Sequence, residues 1–360
     1  MKQRLLSLDF FRGLTVAGMI LVNNPGDWGH VYSPLEHSKW NGCTPTDLVF
    51  PFFLFMVGVS VTFALSSRIA DTSGHKKLIV HIIRRALIIF VIGMLFRLIP
   101  HFDFYNVRIP GVLPRIAVVY LVISLLYLKT GPKTRTWLCF GFLIAYYLLL
   151  TFVPVPGIGP ANLEPETNLG AWLDRTLLGE RHLWSHAKTW DPEGILSTLP
   201  AFSTGLLGIM VGDWIRRKDK QDAEKVAWMF VAGFLSVLVG LIWDSFFPIN
   251  KSLWTSSFVL YTAGLASMGL ALCYWLIDVQ GYKSWTPPFV AFGRNAITAY
   301  VLSGVIPQMF PHLFGGGALS SLFISFLSPL NVSLAAAITL VLLMFIPVWI
   351  MYKRNIIVKI

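Results

Sequence analysis

Apolar segments long enough to span a membrane recur along the whole chain of 360 residues. As a helix, about 20 apolar residues cross the roughly 30 Å hydrocarbon core of a bilayer. Only 13% of the residues are charged and 55% are hydrophobic, a composition that excludes an ordinary soluble domain. The sequence therefore predicts an all-α integral membrane protein, a polytopic bundle of about ten transmembrane helices. The predicted spans begin near Leu5, Leu48, Ile82, Leu113, Trp137, Ile195, Val226, Thr255, Pro287 and Val332.

The positive charges predict how the chain is oriented in the lipid bilayer. Lys and Arg residues cluster in alternate loops, such as Lys129 and Lys133 and then Arg216 and Arg217, as is typical of cytoplasmic loops. Both termini are therefore predicted to be cytoplasmic, which requires an even number of spans. The same pattern accounts for the net charge of +11 without a nucleic-acid partner. The short N-terminus without a cleavable signal favours the bacterial plasma (inner) membrane.

One transmembrane domain over residues 1–360 is predicted, because no linker or low-complexity tract divides the chain. Its exceptional connection is a long outward-facing loop at about 154–193, rich in Pro, Gly, Trp and His. Loops of this length are uncommon between helices and usually cover a site. The three cysteines, Cys43, Cys139 and Cys273, are dispersed, so neither a disulfide framework nor a bound metal is predicted.

His37 lies in a short polar loop immediately ahead of the predicted second span. An imidazole titrates near neutral pH and can accept a proton, whereas the alternative is an interfacial histidine with no role. Asp47 follows Thr44 and Pro45 at a helix start, where a carboxylate binds a free backbone amide. Capping therefore explains Asp47. A second hypothesis is that Asp47 fixes the tautomer of His37 and raises its basicity.

Polar residues also lie at both ends of the predicted first span. Asp9 and Arg12 share one helical face and are predicted to pair, either to orient the helix or to contact a phosphorylated ligand. Asn23 and Asn24 precede the helix-breaking Pro25. Their amides either cap the helix or bind a substrate carbonyl.

Charged residues near the ends of later spans require partners. Arg115, in the predicted fourth span, needs an anion, either a protein carboxylate or a ligand phosphate. Asp191 is predicted to cap the sixth span, whereas Glu193 is available to bind a cationic amino group. Lys251 lies close to Trp254, so the pair is either an interfacial anchor or a cation beside an aromatic face.

Eight segments of the chain occur in the same order in a known family. They are SLDFFRGL at 7–14, VNN at 22–24, HSKWNG at 37–42, TDLVFP at 46–51, GVLPRI at 111–116, DPEG at 191–194, NKSLWT at 250–255 and GRNA at 293–296. Through them the chain resembles the heparan-alpha-glucosaminide N-acetyltransferase family and its bacterial transmembrane relatives. The resemblance extends over nearly the whole chain.

The resemblance implies an enzyme that takes acetyl from cytoplasmic acetyl-CoA and delivers it to the amino group of a glucosamine-type sugar on the other side of the membrane. His37 matches the catalytic histidine of the family, Asn23 matches an active-site amide, and Arg115 falls on a shared motif. A homodimer is also implied by the family. We expect no counterpart here of the large luminal domain that precedes the first span in the animal lysosomal enzyme. A smaller amino sugar or a cell-wall fragment is therefore an alternative acceptor to heparan.

The chemistry of acyl transfer assigns a role to each candidate residue, with His37 as general base and Asn23 as a donor to the oxyanion. The predicted site comprises the catalytic residues His37, Asn23 and Asp47; the acetyl-CoA-binding residues Arg115, Lys251, Arg294 and Asn295; and the substrate-binding residues Asn24, Trp40, Asp191 and Glu193. Direct transfer and a covalent acetyl-imidazole at His37 both remain open. The alternative functions are an amino-sugar transporter without chemistry and a glycan O-acyltransferase.

Overall fold

The computed structural model describes residues 5–69, 74–99, 102–314 and 327–358. Within these ranges the regular structure is helical, which confirms the predicted all-α membrane protein. The helices are α1 (Leu6–Asn23), α2 (Val49–Leu65), α3 (His75–Leu98), α4 (Val112–Lys129), α5 (Pro132–Phe152), α6 (Leu169–Leu178), α7 (Thr198–Ile215), α8 (Asp222–Asp244), α9 (Ser256–Cys273), α10 (Pro287–Arg294), α11 (Ala296–Met309) and α12 (Pro329–Lys353).

Nine helical segments of the described chain are long and apolar enough to cross a membrane. Helices α10 and α11 form a further candidate, but they are bent by 83° relative to each other. The bend lies at Asn295, whose φ of −122° and ψ of 41° are not helical. Counting this pair as one span gives ten, as predicted. The cytoplasmic placement of both termini stays a prediction.

The described residues form two compact units, of which the first contains those of Met1–Ser38, Thr44–Phe53 and Gly269–Lys359. In this unit α1 packs against α10 through Gly13 and Gly293. A Cβ atom at either glycine would overlap the backbone of the opposite helix, so only glycine permits this approach. The predicted pair of Asp9 and Arg12 is present at 3.6 Å. Arg12 also donates to the carbonyl of Gly293 at 3.3 Å, so it links the two helices.

The second unit contains Lys39–Cys43 and Leu54–Met268. Its helices also pack closely at glycines, because Gly58 of α2 meets the backbone of Gly205 in α7. The long loop at 154–193 lies in this unit and contains α6, which is capped by the side chain of Asn168. The single domain over 1–360 and the outward orientation of the loop stay predictions.

Candidate active site

Asp47 lies in the short helical turn Pro45–Leu48 that leads into α2, and 1% of its side chain is exposed. Its Oδ2 accepts the backbone N–H groups of Ser38 and Thr44, each at 3.0 Å. Its Oδ1 lies 2.7 Å from Nδ1 of His37. The contacts of both hypotheses are therefore present, since Asp47 both caps the turn and contacts the imidazole.

The contact with Asp47 selects one tautomer of His37. An ionised carboxylate can only accept hydrogen bonds, so Nδ1 carries the proton and donates it to Asp47. The lone pair then remains on Nε2. The His37 side chain is 41% exposed, so a substrate can approach the ring. This is the arrangement of a general base oriented by a carboxylate.

The two predicted asparagines differ in what they contact. Asn23 is the last residue of α1, and its side chain is exposed. Asn24 donates from Nδ2 to the carbonyl of Ile20 at 2.9 Å and so caps the end of α1. The structure thus contains the capping contact for Asn24, while a substrate contact of either amide stays a prediction.

Asp191 and Glu193 form ion pairs with Arg108, a residue that the sequence analysis did not consider. Nε of Arg108 donates to Oδ2 of Asp191 at 2.7 Å, and its Nη2 donates to both carboxylates. The predicted helix cap at Asp191 is wrong, because α7 begins only at Thr198. Asp191 instead accepts the backbone N–H of Glu193 at 2.9 Å within its own turn.

Positive charge surrounds Glu193. Burial alone would raise the pKa of this carboxyl, but the charges of Arg108 and Arg115, with smaller contributions from Arg97 and Lys251, lower it below its usual range. Burial likewise opposes the charge of Arg108, yet its two carboxylate partners raise its pKa. The Arg108 cluster, formed by Arg108, Asp191 and Glu193, therefore contains buried positive and negative charges that stabilise each other.

Arg115 lies fully buried in the first turn of α4. Its Nη2 donates to the carbonyl of Gly194 at 3.1 Å and to the hydroxyl of Ser197. Its Nε and Nη1 have no hydrogen-bond partner among the residues that the structure describes. Arg115 and Glu193 both line a cavity of about 120 Å³, so the buried guanidinium and its unused donors lie close to a space of about that volume.

Trp254 is buried, so its predicted role as an interfacial anchor is wrong. Its indole Nε1 donates to the hydroxyl of Thr204 at 3.1 Å, and the Arg115 guanidinium lies 5.1 Å from its ring centre. An aromatic ring attracts a guanidinium that lies over its face, so Trp254 is a favourable buried neighbour for Arg115. Lys251 precedes it in the same turn, and its backbone carbonyl accepts the N–H of Trp254 at 3.0 Å.

Trp40 packs against the long loop at 154–193. Its Nε1 donates to the carbonyl of Leu163 at 3.0 Å, and its ring lies edge-on to Trp190 at 5.1 Å. Trp190 in turn contacts Trp184 at 5.4 Å, and Arg108 lies 6.0 Å from the Trp184 ring centre. This tryptophan row, formed by Trp40, Trp190 and Trp184, therefore connects the short stretch Lys39–Cys43 to the Arg108 cluster within the second unit.

Arg294 and Asn295 lie at the bend between α10 and α11 in the first unit. The Asn295 side chain donates to the carbonyl of Ile356 and accepts the N–H of Val358, both at 3.1 Å. Arg294 lies over the ring of Tyr352 at 4.9 Å. Asn295 thus holds the C-terminal segment, and the predicted contacts of both residues with acetyl-CoA stay predictions.

The buried carboxyl of Asp174 in α6 should make the free energy of unfolding depend on pH. This carboxyl accepts the backbone N–H of Ile195 at 2.8 Å, and burial raises its pKa to about 7. The folded state therefore binds this proton more tightly than the unfolded state, and the free energy of unfolding falls as the pH rises from about 4 to 7. Relative to the wild type, Asp174→Asn should gain roughly 2 to 3 kcal/mol of stability as the pH rises from 5 to 8, because asparagine has no proton to lose. Thermal unfolding in detergent at both pH values measures this, and a constant difference would contradict it.

The sequence matches one protein-family model and two named proteins. The family model described as "Heparan-alpha-glucosaminide N-acetyltransferase, catalytic" matches residues 4–245, a range that includes His37, Asp47, Arg108 and Arg115. Two proteins named heparan-alpha-glucosaminide N-acetyltransferase, from Mus musculus and Homo sapiens, are 32% and 31% identical to the chain over 361 aligned residues. Each match covers 86% of this chain and 54% of the relative. The chain therefore spans about half the length of these curated relatives.

Proposed function

Because the chain belongs to the heparan-alpha-glucosaminide N-acetyltransferase family, we propose that it moves acetyl from cytoplasmic acetyl-CoA to the amino group of a glucosamine-type sugar on the outer side of the membrane. The observation that carries this proposal is the 2.7 Å contact between Nδ1 of His37 and Oδ1 of the buried Asp47. The proposed location is the bacterial plasma membrane, and the proposed assembly is a homodimer.

His37 acts as the general base in this proposal. The ammonium form of the sugar first loses a proton to solvent, and the neutral amine nitrogen attacks the carbonyl carbon of the thioester. Nε2 of His37 takes a proton from that nitrogen as the C–N bond forms, and Asp47 stabilises the resulting imidazolium. The C–S bond then breaks, and the departing CoA thiolate takes the proton from His37. The exposed amide of Asn23 is proposed to donate to the oxyanion that forms between these steps.

Direct transfer from a ternary complex is our preferred route. In the alternative, Nε2 of His37 itself attacks the thioester and carries the acetyl group as an acetyl-imidazole. Mass spectrometry of the protein incubated with acetyl-CoA but without acceptor separates the two routes. An acetylated His37 peptide that transfers its acetyl group to later-added glucosamine would support the acetyl-imidazole route.

We propose that Arg115 binds acetyl-CoA, together with Lys251, Arg294 and Asn295. Support comes from the two unused guanidinium N–H donors of Arg115 beside a cavity of about 120 Å³. A guanidinium presents its donors in a planar fork that fits the oxygens of a phosphate. The Asn295 side chain is already hydrogen-bonded to the C-terminal segment, so a contact with acetyl-CoA would have to compete with Ile356 and Val358.

The acceptor sugar is proposed to contact Asn24, Trp40, Asp191 and Glu193. The tryptophan row supports this, because indole rings offer apolar surface to sugar C–H groups and a polar edge to hydroxyls. Asp191 and Glu193 are ion-paired with Arg108, so an acceptor ammonium would have to compete with that guanidinium. A smaller amino sugar or a cell-wall fragment remains our alternative to heparan as the acceptor.

Proteoliposomes containing the purified protein test the proposed function. With acetyl-CoA on the cytoplasmic face and labelled glucosamine on the other, labelled N-acetylglucosamine should form only when acetyl-CoA is present. Uptake of labelled glucosamine without acetyl-CoA would instead show a transporter. Acetylation of hydroxyl acceptors but not of amines would show an O-acyltransferase.

Binding of the acetyl donor is tested in the same experiment with Arg115→Met, which keeps an unbranched apolar stem but removes the guanidinium and its charge. A KM for acetyl-CoA raised about tenfold is expected, as for loss of one charge-assisted hydrogen bond. If only the KM for the sugar rises, Arg115 belongs to the acceptor site.

A further inference from the structure

The second unit contains an apolar groove of about 480 Å³ bordered by α2, α7, α8 and α9. This volume lies within the range of about 300–1,000 Å³ that ligand pockets occupy. Its lining residues include Trp214 of α7, Trp228 and Ala232 of α8, and Ala263 of α9. The proposed acetyl transfer uses none of these residues.

The polar side chains in the wall of the groove are hydrogen-bonded within the protein. The hydroxyl of Ser236 donates to the carbonyl of Leu260 at 2.7 Å, and that of Ser267 donates to the carbonyl of Met229 at 3.0 Å. The indole N–H of Trp214 donates to the carbonyl of Lys225 at 3.1 Å. Because these donors are used internally, the wall suits a hydrocarbon chain and not a sugar or a nucleotide.

The turn between α7 and α8 is rich in cations. Arg217 pairs with Asp219, Lys220 with Glu224 and Lys225 with Asp222. Arg216 and Lys218 are exposed, and neither has a carboxylate within 4.0 Å in the part of the chain that the structure describes. These two side chains are therefore available to an anion outside the chain.

The groove begins at the level of this turn. Trp214 lies in the last turn of α7 and Trp228 in the second turn of α8, where tryptophan is typical of the boundary between lipid headgroups and hydrocarbon. From Trp228 the groove follows α8 as far as Ser236, a distance of about 12 Å at 1.5 Å per residue. Its apolar length therefore extends from the charged turn into the span.

We propose that this groove binds one acyl chain of an anionic glycerophospholipid, whose phosphate is held by Arg216 and Lys218. The arrangement matches the two parts of such a lipid, since cations lie outside the tryptophan level and apolar surface lies inside it. The lipid occupies a structural site separate from the acyl donor and acceptor.

Photo-crosslinking tests the proposal with the full chain in nanodiscs. The probes are phosphatidylglycerol and phosphatidylcholine that carry a diazirine in one acyl chain, with peptide mapping of the crosslinks. Phosphatidylglycerol should label α7 and α8 residues that line the groove, and the double variant Arg216→Ala and Lys218→Ala should lower this labelling about tenfold, to the level of phosphatidylcholine. Equal labelling by the two lipids in the wild type would overturn the proposal.

A matched pair of substitutions tests the groove itself. Ala232→Phe fills the groove, whereas Ala227→Phe adds the same ring to an exposed position of α8 outside it. Labelling by phosphatidylglycerol should fall about tenfold in the first variant and stay unchanged in the second. If added CoA abolishes the labelling, the groove belongs to the acyl donor. If Ala232→Phe converts a dimer to a monomer and labelling persists, the groove is an interface with a second copy of the chain. Either result would refute the lipid site whether or not the protein acetylates sugars.

Discussion

Replacing His37 by alanine is expected to lower the rate of acetyl transfer by about two orders of magnitude or more, because general bases commonly contribute 10² to 10⁴ in rate. Insertion and folding should persist, since the His37 side chain is 41% exposed and the buried Asp47 keeps the backbone N–H groups of Ser38 and Thr44. The measurement is the initial rate of N-acetylglucosamine formation in proteoliposomes at saturating acetyl-CoA. Near-normal turnover of the variant would show that another group takes the proton.

The chain offers a matched control in a second histidine of the same unit. Nδ1 of His30 lies 2.7 Å from Oδ2 of Asp27, the same distance as in the pair of His37 and Asp47. The carboxylate of Asp27 is exposed, however, whereas that of Asp47 is buried and holds two backbone amides. Substitution of His30 by alanine should therefore leave the rate unchanged. An equal loss in both variants would mean that the effect of His37 is not catalytic.

The features that sequence reasoning predicted well are those encoded over short distances. The spans follow from runs of apolar residues, and ten candidates result when α10 and α11 count as one. His37 and Asp47 are ten positions apart, and the Thr44-Pro45 helix start between them directs the chain back so that both side chains meet. Asp9 and Arg12, one helical turn apart, pair for the same reason.

The features that were missed depend on contacts between distant parts of the chain. Arg108 is 83 positions from Asp191 and 85 from Glu193, so nothing in its local sequence identifies it as their partner. The one available signal was that two carboxylates beside a span require a cation. Trp254 was misread because a tryptophan near a lysine is typical of a membrane interface, and only the fold shows that Arg115 and Thr204 surround it. The bend at Asn295 was also not predicted, and the side chain there binds the backbone of the C-terminal segment 61 and 63 positions away.

The largest expected effect on stability follows from Arg108, because it neutralises two carboxylates at once. In Arg108→Leu, Asp191 and Glu193 would remain buried without their main cation, and removal of one partner of a buried ion pair costs about 3–5 kcal/mol. The loss should be greatest near neutral pH and should shrink in acid. The pKa of Glu193 is lowered in the folded wild type, so its contribution to stability is present above its unfolded pKa and is lost as the pH falls through the folded value. Thermal unfolding in detergent between pH 4 and pH 7.5, followed by tryptophan fluorescence, measures both effects.

The matched control for Arg108 is Arg217, which pairs with Asp219 at the surface of the α7–α8 turn. Water solvates both members of that pair once it is broken, so Arg217→Leu should change the unfolding temperature little. The comparison separates burial from charge, because each substitution removes one guanidinium from an ion pair of the same chain. If the two variants unfold at the same temperature, the Arg108 cluster is solvated in the folded protein. Asp191 and Glu193 would then be free to meet an acceptor ammonium, and the substrate role predicted for them would be strengthened.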